Sequence, residues 1–197
     1  MSRYEQLREM AEKNNGILQT KTVVEAGISK SILADFIKRN HFEKAAHGVY
    51  CSPNSWRDHM YLLQLRCPQT IFSHDTALFL LDMTDREPFQ YTVTAKTGYN
   101  PSHLTREGIK VFTVKKELFY LGTMTVSTPF GNTVMIYGPE RTLCDMIRSR
   151  NSLDIQTLLD AVRQYVRRKD KNLHVLMEYA AQFHVDRRLS QYLEVLL

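Results

Sequence analysis

Apolar residues in the first fifty positions recur at helical spacing in short runs, and glycine or asparagine closes most of them. Tyr4, Leu7, Met10 and Ala11 share one face of a helix predicted over 2–14, with charges on the opposite face and Gly16 just beyond its end. Ile17 and Leu18 form a short apolar link able to pair as a strand. Thr20 is of the residue type that caps helices and precedes a very short one, "KTVVEAG", ended by Gly27. Ser29 then caps "KSILADFIKRN". Ile32, Leu33, Phe36 and Ile37 make that helix's apolar face, while Lys30, Ser31, Asp35, Lys38 and Arg39 lie largely on the other. Two helices joined by a short glycine-containing turn are the signature of a helix-turn-helix. From Phe42 to Tyr50 the chain reads as a hairpin, with Gly48 at its turn and strand-favouring Val49 and Tyr50 after it. This is the place of a wing, and Pro53 closes the unit.

The pattern changes between Pro53 and Trp56, which divides a predicted domain 1–54 from a second, 55–197. "WRDHMYLLQLRC" is helical up to Pro68, and "SHDTALFLLDM" is helical with Ser73 as its cap. Three runs rich in Val, Thr, Ile, Phe and Tyr follow as strands: "QYTVTAK", "IKVFTVKK" and "TMTVSTPFGNTVMIY", the last with a hairpin turn at Phe130-Gly131-Asn132. Everything from Pro139 onward carries helical periodicity, in "PERTLCDMIRSR", "LDIQTLLDAVRQYVRRK", "NLHVLMEYAAQFH" and "RRLSQYLEVLL". The fold class expected is therefore α+β: an N-terminal winged helix-turn-helix, then a mixed α/β domain with a helical C-terminal half.

Composition narrows the class without deciding it. With 43% hydrophobic and 24% charged residues in 197, the chain can bury a core. The net charge of +5 favours an anionic partner. Cys51, Cys67 and Cys144 are scattered and form no CxxC pair, which argues against a disulfide framework or a zinc site and fits a reducing cytosol. The start "MSRYEQLREM" lacks the apolar stretch of a secretory signal, and no window approaches the roughly 18 apolar residues of a membrane span. These readings point to a cytoplasmic protein.

Candidate chemistry gathers on the third predicted helix. Ser29, Lys30 and Ser31 open it, where a recognition helix meets base edges and phosphates. Lys38 and Arg39 at its far end are placed for flanking backbone, and Lys44 and His47 sit on the wing. From Gly27 to Arg57 five Lys/Arg stand against two acids, Asp35 and Glu43. The same pattern fits a small helical domain with a solvated basic face. The run "RQYVRRKDKNLH", with Arg167 and Arg168, is either a solvated helix face or a second contact for nucleic acid or an acidic partner. No catalytic arrangement emerges. His74-Asp75 lack a nucleophile motif and read as a helix start; Cys144 reads as a buried structural thiol and Tyr165 as a packed ring; Arg141 and Asp145, four apart, read as a surface or half-buried salt bridge. Neither a cofactor nor a metal is expected.

The order of these pieces resembles a known family over essentially the whole chain. "GISKSILADFIKRNHFEKAAHGVYCSP", "FSHDTALFLLDM" and "YGPERTLCDMIR" are similar to the AbiEi-type antitoxins of bacterial abortive-infection (type IV toxin–antitoxin) phage-defence systems. The resemblance implies a non-enzymatic, autoregulating transcriptional repressor whose N-terminal domain binds inverted repeats in double-stranded DNA of its own promoter. It implies a C-terminal domain that assists DNA binding and counteracts a nucleotidyltransferase-like toxin without a stable complex. The readings from other classes are a DNA-tethered nuclease or nucleotidyltransferase-like enzyme, against which the lack of a DxD or GSxxxD pattern counts, and a protein-interaction module.

Overall fold

The computed structural model describes residues 2–196. Among them are ten α-helices and two sheets, so the α+β class holds. The chain divides into two compact units, one of residues 1–68 with 127–134, the other of 69–126 with 135–197.

The first unit opens with α1 (Arg3–Lys13). Ser2 and Glu5 close a reciprocal capping box at its start: Ser2 Oγ accepts from the Glu5 amide at 3.2 Å, and the Ser2 amide donates to Glu5 Oε2 at 2.6 Å. Strand β1 (Ile17–Gln19) leads into α2 (Thr20–Glu25), and α3 (Lys30–Arg39) follows across a turn. Thr20 does not cap α2; Gln19 holds the cap position, with no side-chain bond, and Thr20 is already the first helical residue. Strands β2 (Glu43–Ala46) and β3 (Val49–Cys51) form the expected hairpin, with a register shift between Lys44 and Ala46. The three strands make an antiparallel sheet ordered β1-β3-β2.

Two apolar clusters hold this unit. Leu7, Ala11, Leu18, Val23, Ile28, Leu33 and Phe36 bury the inner faces of α1, α2 and α3. Ile17, Val49 and Cys51 pack beneath the sheet, and α4 (His59–Arg66) covers them with Tyr61, Leu62 and Leu65. The first unit thus extends past the break at Pro53–Trp56 to Pro68, because those apolar side chains of α4 face the sheet. Asp58 caps α4 and is itself buried. It accepts from the Tyr61 amide at 3.0 Å, Thr128 Oγ1 at 2.5 Å and Asn132 Nδ2 at 2.8 Å, which draws residues 127–134 into this unit.

The second unit is built on a five-stranded sheet of β4 (Thr70–Phe72), β5 (Thr92–Lys96), β6 (Lys110–Val114), β7 (Thr123–Ser127) and β8 (Thr133–Tyr137), in the order β6-β5-β4-β8-β7. β4 runs antiparallel to β5 and parallel to β8, and β5 runs parallel to β6. The helices are α5 (His74–Leu80), the short α6 (Ser102–Arg106), α7 (Pro139–Arg148), α8 (Ile155–Arg167), α9 (Leu173–Gln182) and α10 (Asp186–Leu196). Met1 and Leu197, the ends of the two expected domains, lie outside the described residues.

Helix α7 is the axis of this unit: all seven residues from Arg141 to Ile147 are buried. The expected surface or half-buried Arg141–Asp145 salt bridge is instead fully buried at both partners, with Nε to Oδ2 at 2.9 Å. Burying a guanidinium is costly unless its donors are met; here Nε and Nη1 are satisfied, while Nη2 has no hydrogen-bond partner among the described residues. Arg141 Nη1 donates to the Leu118 and Leu121 carbonyls, each at 2.7 Å, and the Tyr137 and Phe183 rings sandwich the group with centroids 4.0 and 4.2 Å away. Cys144 is buried as expected, and burial pushes its thiol up to about 12. Tyr165 is packed and donates to Glu140 Oε1 at 2.9 Å. Ser73 sits at the cap position of α5 but makes no cap bond, because its hydroxyl accepts from Thr94 Oγ1 at 2.8 Å and faces His74 Nδ1 at 3.0 Å. Among the described residues no helix is long and apolar enough to cross a membrane.

His74 is enclosed between Ser73 and Ser149 (Nε2 to Oγ, 3.2 Å) and stacks on Phe112 at 3.6 Å. Burial, reinforced by the Arg148 and Lys110 charges, pushes its imidazole down to about 3 from the ordinary 6.5. Above the ordinary value the ring is neutral in folded and unfolded chains alike. Below it the unfolded chain takes up a proton that the folded one refuses, so stability is lost as pH falls toward 3. Between about pH 6 and pH 4, the unfolding free energy of the wild type is expected to fall about 1.4 kcal/mol per pH unit more steeply than that of His74→Gln. Denaturant titrations of both proteins across that range check it, and parallel curves would contradict it.

Candidate functional site

Three of the residues singled out from the sequence meet at one concavity of the first unit. Lys30 from the start of α3 and Lys44 and His47 from the β2–β3 hairpin line a groove of about 730 Å³, together with Thr20, Lys21, Val24 and Glu25 of α2. Backbone geometry produces this convergence. Gly27, at φ +77°, lets the chain reverse between α2 and α3, and a non-glycine residue there would be strained. Ser29 caps α3 by accepting the Ile32 amide at 3.3 Å, which fixes where Lys30 and Ser31 emerge. At the hairpin turn Gly48, at φ +70°, places its carbonyl 2.8 Å from the Thr20 amide. A side chain at Gly48 would also meet Thr20 Oγ1 at 3.4 Å.

Ion pairing sets the charge this surface presents. Asp35 is engaged by Arg39, Nε to Oδ2 at 3.0 Å, and by the Tyr4 hydroxyl. Glu43 is engaged by Arg57. Both acids of the 27–57 stretch are therefore spoken for by arginines, and among the described residues Lys30, Lys38 and Lys44 take part in no ion pair. Lys21 reaches Glu25 only at 4.0 Å, with both side chains largely exposed, a weak pair.

The remaining expected residues separate from this groove. Ser31 and Lys38 are exposed on α3, outside the groove lining. Arg39 is turned back over the Tyr4 ring, 5.8 Å from its centroid. Arg167 and Arg168 belong to the second unit. Arg167 ends α8 and is exposed. Arg168 is committed internally: its Nε and Nη2 hold Asp170 at 2.9 and 2.7 Å, and its Nη1 donates to the Leu81 carbonyl at 2.8 Å. Lys21 and Val24 were passed over in the sequence. The signal for Lys21 was there, a cation in the first turn of the helix preceding a candidate recognition helix, but α2 is too short for its outward face to be read from periodicity.

A second groove of the first unit, of about 740 Å³, is lined by Trp56, Phe42 and Phe130 with Arg8 and Glu12, whose charges oppose each other. None of the expected residues line it. Among the described residues no group of three or more His, Cys, Asp or Glu side chains is placed to hold a metal ion.

No protein-family model and no curated protein matches the chain. Among solved structures it is similar to the crystal structure of RV2827C protein from Mycobacterium tuberculosis, with a TM-score of 0.49 and 12% identity over 98% of this chain and 82% of that one. A likeness of this extent assigns neither a family nor an activity.

The two neighbouring arginines at the end of α8 are expected to behave differently. Arg168→Ala removes the bond to the Leu81 carbonyl and should lower the unfolding free energy by about 1–2 kcal/mol. Arg167→Ala should stay within about 0.5 kcal/mol of wild type. Chemical denaturation of both variants measures the difference, and equal effects would show that the Arg168 contacts contribute nothing to stability.

Proposed function

We propose that the protein is a sequence-specific DNA-binding repressor and that its first unit is a winged helix-turn-helix. The observation that carries this reading is the convergence of Lys21, Lys30, Lys44 and His47, from two helices and a hairpin, on one groove. Lysines spaced around a concavity neutralise phosphates along a backbone, and the exposed start of α3 offers a helix N-terminus and small polar side chains to the same anion. α2 and α3 stand as the two helices of the turn motif, α3 is the recognition helix, and β2–β3 is the wing. Ser31 and Lys38 face the duplex along α3.

The wider role follows from the resemblance of the sequence motifs to AbiEi-type antitoxins. In this reading the protein is a cytoplasmic autorepressor that binds inverted repeats upstream of its own operon. Its second unit counteracts a nucleotidyltransferase-like toxin, and Arg167 is that unit's free basic contact. Three buried cysteines with no disulfide suit a reducing compartment.

The test begins with selection of duplexes from a random pool by the full-length protein, followed by gel shifts on the selected sequence over a range of salt. Lys30→Ala should weaken specific binding by about 1–3 kcal/mol. Lys21→Ala and Lys44→Ala should each reduce the slope of log affinity against log salt by about 0.9. No enrichment of any sequence, or slopes unaltered in both variants, would overturn DNA reading by this groove. Growth assays with a co-expressed nucleotidyltransferase-like toxin test the antitoxin role separately.

A further inference from the structure

We infer that Asp35 reads cytosine in the major groove, with Tyr4 and Arg39 aiming its carboxylate. This rests on the DNA-binding reading above and adds a base preference to it. Ser31, Ala34 and Lys38 lie outward on α3, opposite buried Leu33 and Phe36. Asp35 flanks that stripe, and its side chain remains 45% exposed. Serine and alanine at the centre of the stripe keep the helix surface low, so a short carboxylate beside them can reach a base edge once the helix is seated.

The carboxylate is held in one orientation. Its Oδ2 accepts the Tyr4 hydroxyl and forms an ion pair with Arg39 Nε at 3.0 Å, and among the described residues Oδ1 accepts no hydrogen bond. The Tyr4 ring that delivers one of these bonds is itself fixed, packing edge-on against buried Phe36 at 5.7 Å. Arg39 closes the arrangement by lying over the same ring. The Tyr4 hydroxyl first, and then Arg39, hold the Asp35 carboxyl below the usual carboxylate range, so at neutral pH it only accepts.

Such a group is repelled by phosphates and needs a donor. The major-groove edges of guanine and thymine present acceptors to it, and adenine sets its N7 acceptor beside the N6 amine. Cytosine presents the N4 amine without a neighbouring acceptor, which is why carboxylates pair with it. Tyr4 is a positioning residue in this scheme, and Arg39 serves Asp35 rather than a phosphate.

The experiment uses the full-length protein and its selected duplex, changed one base pair at a time. The expected result is one C·G pair per half-site whose replacement costs wild type about tenfold in affinity. At that pair alone, Asp35→Ala should lose the preference and Asp35→Asn should favour adenine, while Tyr4→Phe, which keeps the packed ring, should lose part of it. A duplex with 2-pyrimidinone in place of that cytosine lacks the N4 amine. It should cost wild type a similar factor and cost Asp35→Ala nothing further, a comparison that needs no folding assumption for the wild type. If Asp35→Ala instead raises affinity for all duplexes alike and leaves the base profile unchanged, Asp35 only restrains Arg39 and the inference is wrong. If wild type shows base preferences but none for cytosine, the inference fails while DNA reading stands. If wild type binds no duplex, both fail.

Discussion

The hydrogen bond from the Thr20 amide to the Gly48 carbonyl, 2.8 Å long, is the contact on which the candidate site depends. It ties the first residue of α2 to the turn of the β2–β3 hairpin. The pairing of β1 with the central strand β3 continues the same connection, Gln19 opposite Val49 and Ile17 opposite Cys51. Lys21 and Val24 on one side, and Lys44 and His47 on the other, face one groove because their backbones are joined there. Val49 and Cys51, buried beneath the sheet with Ile17, give the ladder an apolar floor. A hairpin alone is marginal in water; this one is held by a third strand and a covering helix.

Charge follows from the same economy of contacts. The net excess on the stretch around α3 is small when counted from the sequence. Pairing redistributes it: Arg39 and Arg57 pair with Asp35 and Glu43, and among the described residues Lys30, Lys38 and Lys44 form no ion pair. The second unit treats its ions differently. Arg141 and Asp145 are fully enclosed, so the pair orients α7 against the Leu118 and Leu121 carbonyls and the Tyr137 and Phe183 rings. Removing one partner of such a pair costs far more than the pair contributes, which makes it a constraint on packing more than a source of stability.

Much of the fold was legible because its signals are local. Ser29 as a cap, Gly27 and Gly48 at turns, and the alternating runs that became β5, β6, β7 and β8 all act within a few residues. The misreadings share a cause in tertiary context. Arg141 and Asp145 have the spacing of an exposed helix pair, and the packing of α5, α8, α9 and α10 around α7 buries that helix. Arg168 read as a free cation because its partner carbonyl, Leu81, is distant in sequence. β4 was missed because Thr70–Phe72 is three residues long and has no alternation to reveal it. At the candidate site, Lys30, Lys44 and His47 were found from residue type and position. Lys21 and the pairing of Arg39 with Asp35 needed the folded arrangement.

The central claim is that the groove between α2, the start of α3 and the hairpin receives DNA. Amide hydrogen exchange of the full-length protein, with and without a selected duplex, tests it most directly, because it reports contact residue by residue without altering the protein. Slowed exchange concentrated at residues 29–34 and 44–48 is the result the account predicts. Exchange unchanged there, with protection confined to the second unit, would contradict it.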